Sequence, residues 1–115
     1  MIPAILAGIV AVAVFTFWDE IVDWLKKLVN TIKSMFSRVV KKIAHAAAGF
    51  IQRVENGLAA IRHKLYYKEQ GQWVEQTTTR KIKESEVPSR IRRLITDQEE
   101  EITDELEEEL HLSLN

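Results

Sequence analysis

Residues 18–65 read WDEIVDWLKKLVNTIKSMFSRVVKKIAHAAAGFIQRVENGLAAIRHKL, and the period assigned to this stretch decides the fold. Val22, Val29, Phe36, Ile43 and Phe50 fall seven apart, as do Trp18, Leu25, Ile32, Val39 and Ala46, and every one of these positions is apolar. Ile21, Leu28 and Met35 widen the stripe on one flank, while Lys26, Lys27, Lys33, Lys41, Asp23 and Asn30 take the other face. This spacing predicts an amphipathic helix whose stripe is broad enough for a bundle or a membrane surface. After Phe50 a strict heptad would bring Arg53 and Gly57 onto the stripe. Ala47, Phe50, Val54, Leu58, Ile61 and Leu65 instead continue in steps of three and four, which relaxes any supercoil. The thin run from Ala44 to Gly49 marks a close helix crossing, or a hinge within 49–57 that gives two antiparallel helices. The expected oligomer seam is Val22, Leu25, Val29, Ile32, Phe36, Val39, Ile43, Phe50, Val54, Leu58 and Ile61.

Upstream, no charged side chain occurs from Met1 to Trp18. As a helix, Ile2 to Trp18 would span roughly 26 Å, somewhat short of the ~30 Å hydrocarbon core of a bilayer. A membrane-inserting helix is the expectation, carried by Ile5, Leu6, Ile9, Val10, Val12, Val14, Phe15 and Phe17, with Trp18 and Trp24 at the interface. Asp19, Glu20 and Asp23 limit its extension. A cleaved signal peptide would need a basic leader, and Met1 to Phe17 holds neither Lys nor Arg. Ala4, Ala7, Gly8, Ala11 and Ala13 permit close helix packing, so burial between subunits is the alternative. If the segment spans, Lys26, Lys27 and Lys33 place the C-terminal body in the cytosol at the cell membrane; otherwise the assembly is cytoplasmic or extracellular.

Past Leu65 the helical period gives way to β-rich residues. Leu65 to Gln70 and Trp73 to Ile82, joined by Gly71-Gln72, predict a hairpin with a type II′ turn, Lys68 opposite Glu75 and Tyr66 opposite Thr77. A lone hairpin is marginal in water, and the alternating Leu110, Leu112 and Leu114 are candidates for a further strand. A short helix begins near Ser85 to Pro88 with Ile91, Leu94 and Ile95 on its apolar side. Ile102, Leu106 and Leu110 then fall four apart in an acidic tail that reads as a solvated helix or disordered arm, or as a docking segment.

Charge is sorted along the 115 residues. Residues 1–66 hold nine basic and four acidic side chains, 67–95 seven and four, and 96–115 none and nine, which leaves a net charge of −1. Opposite ends can therefore pair: Glu99, Glu100 and Glu101, with Arg90, Arg92 and Arg93, are the candidate tail-docking residues, the arginines being placed to meet carboxylates of the tail.

Chemistry is sparse. With no cysteine there is no disulfide, thiolate metal site or thiol nucleophile. His45, His63 and His111 lack metal-site spacing, no glycine-rich phosphate loop is present, and no cofactor or metal is implied; an enzyme is not expected. Tyr66, Tyr67 and Trp73 stand near Lys68, Arg80, Lys81 and Lys83, but the acidic tail competes with phosphate, so nucleic acid is not an expected partner.

These readings combine into an α+β, mainly α chain. An apolar N-terminal helix over 1–18 runs into a long basic amphipathic helix over 19–65, followed by a β-hairpin over 66–84 and a short helix with an acidic C-terminal segment over 85–115. The expected function is a membrane-associated, self-assembling protein, either pore-forming or membrane-disrupting, or anchoring a complex. Its expected partners are itself, a lipid membrane and a protein bound through the hairpin or tail. The alternative is a soluble structural subunit that polymerises into a filament or tube, with the N-terminal helix buried between subunits.

Overall fold

Between Leu58 and Glu69 the side chains alternate between two environments. Ala59, Ile61, His63, Leu65 and Tyr67 are buried, whereas Arg62, Lys64, Tyr66 and Lys68 are half-buried. A period of two is the signature of a strand whose faces meet different surroundings. The computed structural model, which describes residues 13–38 and 43–114, makes this strand the centre of a five-stranded mixed sheet.

The elements, in chain order, are β1 (Val14–Phe15), α1 (Trp18–Arg38), β2 (Ile43–Glu55), β3 (Leu58–Glu69), β4 (Gln72–Lys83), a 3-10 turn (Glu84–Glu86), α2 (Ser89–Arg92), β5 (Glu100–Glu101) and α3 (Thr103–Leu110). The sheet order is β1-β4-β3-β2-β5. Strands β2, β3 and β4 form an antiparallel meander, β1 lies parallel to the end of β4, and β5 lies antiparallel to β2.

Two turns set the meander. Glu55 pairs with Leu58 across Asn56-Gly57, with Gly57 in the left-handed region at φ 80 and a β-bulge between Arg53 and Glu55. Glu69 pairs with Gln72 across Gln70-Gly71, whose φ values of 51 and 78 are both positive, the twist a type I′ turn requires. The hairpin expected around Gly71-Gln72 thus exists, but its turn sits one residue earlier. Lys68 faces Trp73 and Tyr66 faces Glu75, rather than Glu75 and Thr77.

Helices cover one side of the sheet. Ile21, Leu25, Val29 and Ile32 form the buried stripe of α1, which packs against β1, β4 and α3. They meet Ala47 and Ile51 of β2, Ile61 and Leu65 of β3, and Ile82 of β4 in one core. Val87, Ile91 and Ile95 close one side of it, and Ile102, Leu106, Leu110 and Leu114 the other.

The approach of α3 depends on Gly49. A Cβ there would collide with Leu106 Cδ1 and lie 3.6 Å from Leu114 Cδ1. The same glycine donates its N–H to Thr103 Oγ1 at 3.1 Å and accepts from the Ile102 N–H at 2.8 Å, so backbone and helix are fastened at one point. Beyond α3, His111 takes a left-handed φ of 56 and ends the helix, and Leu114 turns back into the core.

Several expectations are corrected. The chain is a mixed α/β fold, not mainly α: of the helix expected over 19–65, α1 ends at Arg38, and residues 43–55 and 58–69 are strands. Alanine-rich 44–48 favours helix locally, but Ala46 is exposed, Ala47 buried and Ala48 half-buried, the alternation of a strand. No continuous seam exists, since Val22, Leu25, Val29, Ile32 and Phe36 lie on α1, Ile43, Phe50 and Val54 on β2, and Leu58 and Ile61 on β3, while Val39 lies outside the described residues. Among the described residues no helix is long and apolar enough to cross a membrane, which overturns the transmembrane-helix expectation there. Val14 and Phe15 are in the sheet, and Phe15, Trp18 and Trp24 pack against the core; Ile5, Leu6, Ile9, Val10 and Val12 lie outside the described residues. The tail is neither solvated nor disordered over Ile102 to Leu110, because its four-residue spacing seats Leu106 and Leu110 in the core.

Because Leu106 is fully buried and its Cδ1 lies where the added methyl would go, Gly49→Ala should lower unfolding free energy by about 1–3 kcal/mol. In urea unfolding, the double variant with Leu106→Ala should lose less than the sum of the two single losses, since the smaller side chain makes room for the added methyl.

Candidate interaction surface

The register that aims Ile61, His63 and Leu65 at the helices sends their neighbours to the opposite face. Ala48, Phe50 and Gln52 of β2, Arg62, Lys64, Tyr66 and Lys68 of β3, and Trp73, Glu75, Thr77, Thr79 and Lys81 of β4 share that face, and no described helix crosses it. Its most exposed large apolar side chain is Trp73, at 66%.

At its centre the charges are matched from within the chain. The segment between α2 and β5 hugs the edge of β2: the Arg53 N–H donates to Thr96 O at 2.8 Å and Gln52 Nε2 donates to Asp97 O at 2.8 Å. Glu99 is thereby carried over the face, where it accepts from Lys64 Nζ at 2.6 Å and from Arg62 Nη1 at 3.0 Å. The hydrogen bond from Lys64 holds the Glu99 carboxyl below its usual range, and the same bond raises the Lys64 ammonium. Lys64 Nζ also lies 4.7 Å from the Phe50 ring centroid.

A second clamp braces the bulge. Arg53 binds Glu84 in a two-pronged contact, Nε to Oε2 at 2.8 Å and Nη2 to Oε1 at 2.9 Å, and this hydrogen bonding lowers the Glu84 carboxyl. A third polar cluster joins α1, α2 and α3. Arg90 contacts Glu108 and, at 3.1 Å, Glu109, which also accepts from Trp18 Nε1 at 3.1 Å; His111 lines the shallow hollow beside them.

Of the candidate docking residues, Arg90 meets tail carboxylates as expected, whereas Glu99, Glu100 and Glu101 find their partners elsewhere. Glu99 meets Arg62 and Lys64, Glu100 accepts from Thr96 Oγ1 and Glu101 from Thr103 Oγ1. Arg90 meets Glu108 and Glu109, Arg92 donates to the carbonyls of Val87 and Ser85, and Arg93 is exposed on the surface. Of the residues assigned to the membrane interface, Trp24 lies beneath the Arg80 guanidinium at 5.1 Å and Trp18 is held by Glu109.

On the covered face His63 stands opposite Gly49 and Thr78, 1% exposed, with Nε2 lacking a hydrogen-bond partner. Burial lowers its basicity. Among the described residues no cluster of three or more His, Cys, Asp or Glu side chains is arranged to hold a metal ion. No protein-family model, curated protein or solved structure matches the chain.

The face is not visible in the sequence when β2 and the first two thirds of β3 are read as helix. The signal was present: Asn56-Gly57 is a strong hairpin marker, and from Ile61 to Lys68 the sequence alternates buried and charged or aromatic positions.

Two consequences for stability follow. The Glu99 clamp is fully formed above the ordinary carboxylate pKa of 4.5 and is lost as pH falls through the lower folded value, so Glu99→Gln should cost about 0.2–1 kcal/mol at neutral pH and flatten the acid limb of the stability profile. For His63, whose folded value lies below 6.5, the unfolded chain takes up a proton first as pH falls, and stability declines from there down to the folded value. His63→Leu should remove this decline and stabilise the fold by roughly 1 kcal/mol in mildly acidic buffer, measured by denaturant titration across pH.

Proposed function

We propose that this chain is a self-assembling protein whose sheet supplies the assembly surface and whose apolar N-terminal segment brings the assembly to a membrane surface. The observation that carries the first part is the uncovered face of β2–β4, which ends in Trp73 at 66% exposure. A large exposed aromatic on a face that mixes apolar, acidic and basic side chains suits a protein partner. It suits a polyanion poorly, because Glu99 already occupies Arg62 and Lys64, where a phosphate would bind. A second copy offers the same mixture of signs, so its acids can meet Lys68 and Lys83.

The membrane part rests on the uncharged run from Met1 to Trp18 and on its junction with the domain. Val14 and Phe17 are 53% and 61% exposed, which puts apolar side chains on the surface where the described residues begin.

The test compares the full-length chain with one lacking Met1 to Val12, a cut that keeps Phe15 in the core and Trp18 at the start of α1. Both should sediment as oligomers in detergent-free buffer, and the full-length chain alone should float with anionic vesicles. Monomers of both at every concentration would discard self-assembly, and flotation of neither would discard the membrane role. Open-ended growth would point instead to the filament-forming subunit.

A further inference from the structure

The outer edge of β4 is occupied at one end only. β1 runs parallel to that end, with Val14 beside Lys81 and Phe15 beside Ile82, and Lys81 donates its N–H to Ala13 O at 2.9 Å. Backbone direction alternates along a strand, so Trp73, Glu75, Thr77 and Thr79 turn their N–H and C=O groups to the same side as Lys81. Among the described residues none of these groups is paired across that edge. From Gln72 to Thr79 the strand holds no proline, one charge at Glu75 and an unbroken register with β3, so nothing guards it against a further strand.

The sequence leading into β1 suits that edge. Val10, Val12 and Val14 alternate with Ala11 and Ala13, a period of two that runs into the described strand without a break. Ile5, Ile9, Val10 and Val12 are β-branched, and no residue from Met1 to Val12 is charged. We infer that residues 5–12 of the same chain extend β1 along β4 in water, and thereby hold back the segment that reaches the membrane, a consequence that rests on the membrane role proposed above.

The register is already set by Val14 and Lys81. It places Val12 beside Thr79, Val10 beside Thr77, Gly8 beside Glu75 and Leu6 beside Trp73. The N–H groups of Thr79, Thr77, Glu75 and Trp73 then meet the carbonyls of Ala11, Ile9, Ala7 and Ile5. Leu6 lies against the most exposed large apolar side chain of the uncovered face, and the residue beside the edge's one carboxylate is a glycine. Pro3, which has no N–H to give, falls beyond Gly71 and outside the ladder. On the covered side α1 runs along β4, with Trp24 under Arg80 and Phe36 against Tyr67, the partner of Val74. Leu28 and Met35 fall within about 40° of Trp24 around that helix, which gives Ile5 and Ile9 an apolar flank to meet.

The chain has no cysteine, so introduced pairs report the register in the full-length protein. Val10→Cys with Thr77→Cys should close a disulfide within one chain under mild oxidation, because laterally paired residues bring their Cα atoms within bridging range. Val10→Cys with Glu75→Cys should not, its Cα atoms lying about 8 Å apart. The Glu75 and Thr77 amides should exchange at least about tenfold more slowly in the unmodified chain than in Ala11→Pro, which removes an N–H aimed at Thr77 O. Val10→Pro, whose N–H points away from β4, should keep the protection. With the Val10→Cys, Thr77→Cys disulfide closed, flotation with anionic vesicles should fall at least about tenfold and return on reduction.

Cross-linking of neither pair, or equal exchange in Ala11→Pro, overturns the strand. Cross-linking of the Glu75→Cys pair in place of the Thr77→Cys pair overturns the register. Disulfides that join two chains instead of closing within one give the edge to a neighbour's N-terminal segment and overturn the intramolecular strand. A locked chain that floats as well as the reduced one overturns the holding back. A reduced chain that never floats discards the membrane role, and the holding back with it, and leaves the strand standing.

Discussion

The bare backbone at Gly49 is the point on which the acidic C-terminal segment of the molecule hangs. Without a side chain there, Leu106 seats directly on β2, and the hydrogen bonds from Gly49 to Thr103 and from Ile102 to Gly49 align the helix as it lands. The segments on either side of that contact are then within reach of the sheet and of α1. β5 lies along β2, Glu99 reaches over to Arg62 and Lys64, and Glu109 meets Trp18 and Arg90.

The sorted charge of the chain has a corresponding geometry. The acidic end folds back and pairs with the basic body at several separate places. Each contact is partly exposed and individually modest. Their value is positional, because they keep carboxylates over the sheet and so set what the uncovered face can accept.

Helix α1 was legible because its apolar spacing has no competing period: Ile21, Leu25, Val29 and Ile32 recur every three or four residues, and the opposite side is charged. The turn before β4 and the four-residue spacing of Ile102, Leu106 and Leu110 were legible for similar reasons. β2 was not. Its alanines satisfy any period, the steps of three and four over 47–65 match a helix, and the choice falls to β3, whose alternation needs burial on one face. The uncovered face follows from that assignment alone, so it could not be read while the strands were taken as helix. Charge sorting was visible in the chain, but which carboxylate meets which cation depends on the path of residues 93–101 around the edge of β2.

The attachment at Gly49 also divides the molecule into units of unequal persistence. The meander of β2, β3 and β4 is built from neighbouring segments, so it can form and survive without distant help. Residues 96–114 instead close a loop from far along the chain and attach through contacts distant in sequence. Their release would uncover Ile51 and Ile61 on one side of the sheet while freeing Arg62 and Lys64 on the other. A single opening event therefore changes apolar exposure and surface charge together, which ties any fluctuation of the core to the character of the face opposite it.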